Sequence, residues 1–291
     1  MMIRITTIVI VLFLLVSGEV DANRQGIDVD RYLLKIESLE TRHHMNRTIY
    51  LLRSGVCEHL YLDVGTNRGI QIRKLYEPSL YPDAKLPKYF NEYFGEFSTE
   101  SRRKVCTIGF EPNEKWDSTL LGIEEAYKRQ GFHVIMFTST AASLNGANVP
   151  FYRVKRVVSM KDNIEASATL FDYKSEDRQS SKTGSVNFVS FVKLFVNEFR
   201  KAGKVVVMKM DIEGWEYELI PSMVVGGGIC AVNFAFVEFH NHPSLAKKCP
   251  PNFVENLNWM LGTVKSCPTK FVDVDDETYS NTDYPLINKS F

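Results

Sequence analysis

The chain has 291 residues, enough for one large α/β domain with a short preface or for two small domains. Hydrophobic residues make up 44% and charged residues 24%, an ordinary balance for a globular protein with a sizeable core. Lys plus Arg number 35 and so do Asp plus Glu, so no global positive field draws in nucleic acid, and only a local patch near Arg53, Arg68, Arg73 and Lys74 stays open.

Arg4 precedes an apolar run, Ile5 to Val16, broken only by Thr6 and Thr7. The run is too short to span a bilayer core comfortably but suits the apolar region of a secretory signal. Small and polar residues follow, from Ser17 to Ala22, with cleavage expected after Gly18 or Ala22. Residues 1–22 therefore read as a signal peptide, the alternative being an uncleaved anchor that associates the chain with a membrane. The triplets Asn46-Arg47-Thr48 and Asn288-Lys289-Ser290 satisfy the N-glycosylation rule and agree with a secretory route, either secretion or the ER or Golgi lumen. Between Asp30 and Leu52, apolar Leu33, Leu34, Ile36, Leu39, Ile49 and Leu52 sit among charges. One or two amphipathic helices are expected there, in a helical segment over 23–55 that precedes a main domain over 56–291.

The main domain alternates. Leu60 to Gly65 reads as a strand ending at a glycine turn, Val105 to Phe110 as a second strand, and Phe132 to Phe137 as a third. Trp116 to Gln130 has helical spacing, closed by Gly131, and Phe188 to Ala202 presents Phe188, Phe191, Val192, Phe195 and Phe199 on one helix face. Val205 to Met210 has the β-branched character of a central parallel strand. Trp215 to Met223 starts a helix that Pro221 is expected to kink or end, and Val232 to Phe239 is a further strand. This cadence predicts an α/β fold: a doubly wound, mostly parallel sheet with helices on both faces. Its ligand belongs beyond the carboxyl ends of the strands, where the strand order reverses.

Five cysteines, Cys57, Cys106, Cys230, Cys249 and Cys267, show no CxxC spacing, which argues against a cysteine zinc site. In an oxidising compartment, Cys249 and Cys267 are the expected bridge because both lie in a Pro-rich late segment; the odd count leaves a thiol over. The acidic run Asp273-Val274-Asp275-Asp276-Glu277 reads as a solvated turn, with cation binding as the alternative.

Four constellations fall at strand ends. In Asp63-Val64-Gly65-Thr66-Asn67-Arg68-Gly69, Gly65 permits a backbone conformation closed to other residues and close approach of a ligand. Gly69 allows close packing at the next helix, and Asp63 can accept hydrogen bonds. The middle glycine of a dinucleotide fingerprint is missing, so a ligand without a pyrophosphate is expected. Glu111, in Phe110-Glu111-Pro112-Asn113, is placed to take both hydroxyls of a ribose. Lys209-Met210-Asp211-Ile212-Glu213-Gly214-Trp215-Glu216 sends Lys209, Asp211 and Glu213 to one side, for use as a base, a substrate clamp or metal ligands. Glu238-Phe239-His240-Asn241-His242 adds polar side chains at the last strand, with His242 read as a loop residue. Asp211, Glu238 and His240 have acceptable metal-ligand chemistry, but nothing in the sequence fixes their distances and no metal is assigned.

Taken in this order, these four blocks resemble the FkbM-type methyltransferases, over roughly Cys57 to His240. The resemblance implies a Rossmann-like class I methyltransferase that binds S-adenosylmethionine and methylates hydroxyl oxygens. By it, Asp63, Gly65, Asn67 and Gly69 contribute to the cofactor site, Asp63, Gly65 and Asn67 beside the methionine part; Glu111 holds the ribose and Ala141-Ala142-Ser143 lies by the adenine. Asp211 serves both cofactor and acceptor. Lys209 and Glu213 face the substrate, and His240 is the first candidate base, with Asp211 and Glu238 beside it. The acceptor can be a hydroxyl-bearing small molecule, a sugar or a protein. Two other readings stay open: a secreted binding or scaffold protein that keeps the fold without catalysis, and a nicotinamide oxidoreductase, which the missing glycine disfavours. One departure stands out. Glu111 follows Asp63 at more than twice the roughly 20 residues of a compact βαβ unit, so Tyr76 to Arg103 is an insertion, expected to fold over the site as a lid or substrate wall.

Overall fold

The computed structural model describes residues 22–154, 169–170, 178–240, 252–264, 267, 269–274 and 276. The leader run, the Asn288 triplet, Cys249 and His242 lie outside these residues.

Nine strands are described: β1 (His59–Val64), β2 (Val105–Phe110), β3 (His133–Phe137), β4 (Thr140–Ser143), β5 (Val149–Val154), β6 (Arg178–Asn187), β7 (Val205–Met210), β8 (Phe234–Val237) and β9 (Lys270–Asp273). Six of them form one sheet in the order β3-β2-β1-β7-β8-β9, every neighbouring pair parallel. Parallel strands buried on both faces need apolar residues in both directions, and these have them. Leu60, Leu62, Val64, Val206, Met208 and Met210 point to one core. Tyr61, Val207, Phe234 and Phe236 point to the other. The α/β expectation holds, including the reversal of strand order at β1 and β7.

A second, three-stranded sheet, β4-β6-β5, was not expected. Its longest strand, β6, reads RQSSKTGSVN and lacks the apolar alternation that marks a half-buried strand. β8 is also shorter than expected, because Ile229–Ala231 forms a 3-10 turn just before Val232.

Helices α1 (Ala22–Leu34) and α2 (Leu39–Arg53) form the N-terminal segment, and Ser38 caps α2 by accepting the Thr41 N–H at 3.2 Å. Ile36 and Leu52 are buried, whereas Leu34 and Leu39 face solvent. After β1 come α3 (Ile70–Tyr76), α4 (Leu86–Phe94) and α5 (Thr99–Arg103). The expected lid is not one. Leu86, Phe90 and Phe94 are buried in the second core, with Phe90 5.0 Å from the Tyr61 ring and 6.4 Å from Phe236. The insertion covers a face of the sheet that would otherwise expose aromatic side chains to water.

Helix α6 is Asp117–Arg129, and α7 runs as an α-helix over Phe188–Phe191, a π turn over Val192–Val196 and an α-helix over Asn197–Lys201. Helix α8 (Glu216–Val225) does not end at Pro221 but continues past it, which leaves the kink as the surviving half of the expectation. Leu219, Ile220, Met223 and Val224 are buried on both sides of Pro221, and their burial offsets the missing backbone donor. Helix α9 is Phe253–Gly262. No helix among the described residues is long and apolar enough to cross a membrane.

The disulfides are Cys57–Cys106 and Cys230–Cys267, not Cys249–Cys267. Cys57 enters β1 beside Cys106 of β2, and Cys230 and Cys267 precede the paired strands β8 and β9. Sheet neighbourhood decides the pairing, which proximity in sequence does not reveal. Within the acidic run, Asp276 departs from the expected solvated turn. Asp276 is buried, its Oδ2 lies 3.2 Å from Lys74 Nζ, and it accepts the Leu86 N–H at 3.1 Å.

Candidate active site

The site is built where β1 and β7 end side by side. Gly65 turns the chain with φ +85°, and a Cβ there would sit 1.8 Å from the Asp211 carbonyl oxygen. The glycine is therefore required by the neighbouring strand end. Gly69 opens α3 with φ +81°, and a Cβ there would press on Ile123 at 2.6 Å. That matches the packing expected of it, and it does not line the cavity.

Between these turns Asn67, in a left-handed conformation, donates its N–H to Glu111 Oε2 at 2.7 Å. The Asn113 N–H reaches Glu111 Oε1, also at 2.7 Å. Burial pushes the Glu111 carboxyl up to about 7, against the pull of these two donors. Asp63 is buried one layer behind. Burial raises it to about 7, with Lys209 opposing and Asp211 adding to the rise.

Gly65, Asn67, Glu111, Ala142, Asp211 and Glu213 line one cavity, together with apolar Phe110, Trp116 and Phe151. It encloses about 720 Å³ of space, open solvent included. Its described lining contains three carboxylates and no Lys or Arg. Asp63, Gly69, Lys209, Glu238 and His240 stand outside this lining.

His240 and Glu238 instead join a cluster at the far side of Asp211. The His240 Nε2 lies 3.4 Å from Glu213 Oε2 and 3.7 Å from both Asp211 Oδ1 and Glu238 Oε1. Its Nδ1 lies 3.2 Å from Glu216 Oε1. Lys209 Nζ pairs with Asp211 Oδ2 at 2.8 Å, so the substrate-facing lysine is engaged by its own strand. Burial works to lower the His240 pKa, yet the Glu216 bond and the charges of Glu213, Glu216 and Asp211 outweigh it and push the ring up to about 10. These acids therefore favour the protonated form of the ring. Burial, with Asp211, Glu216 and Glu238 adding, holds Glu213 up at about 8 against the opposing pull of His240.

Glu216, the last residue of the Lys209–Glu216 motif, is a functional position that the motif alone does not mark. Its side chain is fully buried and accepts the N–H groups of Ile212 at 2.7 Å and Gly214 at 2.8 Å as well as meeting His240. Its place two residues beyond Gly214, at the first position of α8, is the local signal for such a loop-closing acid.

The sheet order, the glycine turn after β1 and the acid after β2 around one cavity define a Rossmann-like α/β domain. Residues 63–267, more than half of the chain, match the model of the methyltransferase FkbM domain, and the chain belongs to that family. Searches among curated proteins and among solved structures gave no match.

Proposed function

We propose that the protein transfers a methyl group from S-adenosylmethionine to a hydroxyl oxygen of a small molecule, a sugar or a protein. The observation that carries this reading is the lining of the cavity: Glu111, tied to two backbone N–H groups, faces it and no described Lys or Arg does, which suits a ribose-bearing ligand without a pyrophosphate. When bound, the cofactor supplies a methyl already activated on sulfur. Glu111 has one lone pair on each oxygen left beyond its backbone donors, suited to two ribose hydroxyls. Ala142 and Phe151 offer an apolar wall for the adenine, and Gly65 and Asn67 flank the methionine part. Asp63, behind the turn, supports these groups without touching the ligand.

Asp211 lines the cavity and also meets the cluster, so we assign it the base role, with His240 beside it. The acceptor oxygen gains the bond to methyl as the sulfur–methyl bond breaks, and the hydroxyl proton goes to the Asp211 carboxylate. Glu213 and Glu238 border the acceptor end and Lys209 fixes Asp211. Two disulfides and the exposed Asn46 on α2 support folding in an oxidising, secretory lumen, with residues 1–22 as the leader or anchor.

Calorimetric titration of the full chain with S-adenosylmethionine, and separately with NAD, tests the reading. Saturable binding of the first alone, lost in Glu111→Ala, is expected. A folded sample that binds neither ligand would instead support a scaffold that has kept only the fold. With an acceptor in hand, Asp211→Asn should lower kcat by about 10²–10⁴-fold.

A further inference from the structure

We propose that His240, Asp211, Glu213 and Glu238 form a binding site for a divalent transition-metal cation, with Glu216 as the residue that orients the histidine. Four carboxylates around one imidazole are not an acidic surface patch. The cluster offers one nitrogen and several oxygens, the donor mixture that suits Mn²⁺ or Zn²⁺ better than Mg²⁺. Among the described residues, Asp211, Glu216 and His240 each present a donor atom within 4.8 Å of the others, and Glu213 and Glu238 approach the same imidazole at 3.4 and 3.7 Å.

The nitrogen-to-oxygen distances approach those between donors around an ion. Ligand bonds of about 2.1–2.2 Å meeting at about 90–110° place neighbouring donor atoms about 3.0–3.6 Å apart. The Nε2 atom has oxygens at 3.4, 3.7 and 3.7 Å, close to that range but too long for sound hydrogen bonds. On its other side, Nδ1 is held by a carboxylate that is itself fixed by two backbone N–H groups. A ligating histidine is commonly set in this way, its second nitrogen tied to an acid so that the first points at the metal.

The site opens toward the cavity, because Asp211 and Glu213 belong to both. A cation there would receive an oxygen of the acceptor and hold it at the acceptor end. That role rests on the methyl-transfer reading, whereas the binding itself does not.

The test is a titration of the chelator-treated full chain with Mn²⁺, followed by electron paramagnetic resonance, and a second titration with Zn²⁺ by calorimetry. One cation per chain is expected, with ¹⁴N modulation from the imidazole in pulsed spectra of the wild-type protein. His240→Ala should weaken binding at least a hundredfold, and Glu216→Gln about ten- to a hundredfold. Glu111→Ala should lose S-adenosylmethionine and keep the cation, so failure of one reading is seen apart from failure of the other. Absence of stoichiometric binding of both ions overturns the proposal, and so does bound Mn²⁺ without nitrogen modulation. The second outcome needs no variant to fold.

Discussion

At Gly65 one missing carbon decides whether two strands can end together. Gly65→Ala places a methyl group inside the Asp211 carbonyl and a side chain at φ +85°. A loss of about 3 kcal/mol or more is expected, read as a fall in the denaturant midpoint. Glu111 governs a different variable. Its folded pKa, raised from 4.5 to about 7, means that the protonated carboxyl is the more stable one in the ligand-free fold. Its contribution to stability is therefore full below the unfolded value and lost as pH rises through about 7. Cofactor affinity runs the other way, since the ionised acid accepts the ribose hydroxyls. The Kd should fall up to tenfold per pH unit on approaching 7 and level off above it, and Glu111→Gln should flatten that curve. Asp63, Glu111 and Asp211 were legible because each ends an apolar strand, where an acid needs a reason. The charge on His240 was not, for it depends on Glu216 and Glu213, brought close only by the fold.

Among the elements, α4 decides between two readings of the insertion. A lid would tune ligand affinity, whereas a packing layer tunes stability. Phe90 is buried against Tyr61 and Phe236, so Phe90→Ala should cost about 3–5 kcal/mol, measured by denaturant unfolding. The Kd for S-adenosylmethionine of the folded fraction should stay within about twofold of wild type, and a large change in affinity with unaltered stability would restore the lid. The parallel strands could be read from composition because each is apolar toward two cores. The β4-β6-β5 sheet could not, since Ser, Thr and Lys fill β6 and its partners lie far along the chain. At Pro221 the local rule allowed either a kink or an end, and the buried neighbours on both sides go with a helix that continues.

For the molecule as a whole, the two disulfides close loops of 49 and 37 residues. Loop-closure entropy assigns each about 4 kcal/mol against the unfolded chain. Reduction should therefore lower Tm by about 8 °C or more, seen by calorimetry with and without reductant. Peptide mapping of the unreduced protein should return the Cys57–Cys106 and Cys230–Cys267 pairs. The sheet order was visible in the sequence as a rhythm, but this covalent framework was not, because it joins positions that only the paired strands bring together.

The Lys74–Asp276 pair also sets a clock. Lys74 Nζ donates to the Asp276 carbonyl at 2.6 Å across 202 positions, within a site that excludes water. At about 5–20 residues per second, a ribosome makes Asp276 about 10–40 s after Lys74. During that interval α3 lacks the Asp276 acceptor that its buried lysine meets in the folded protein, so this tie between distant parts of the chain can form only after synthesis has passed Asp276.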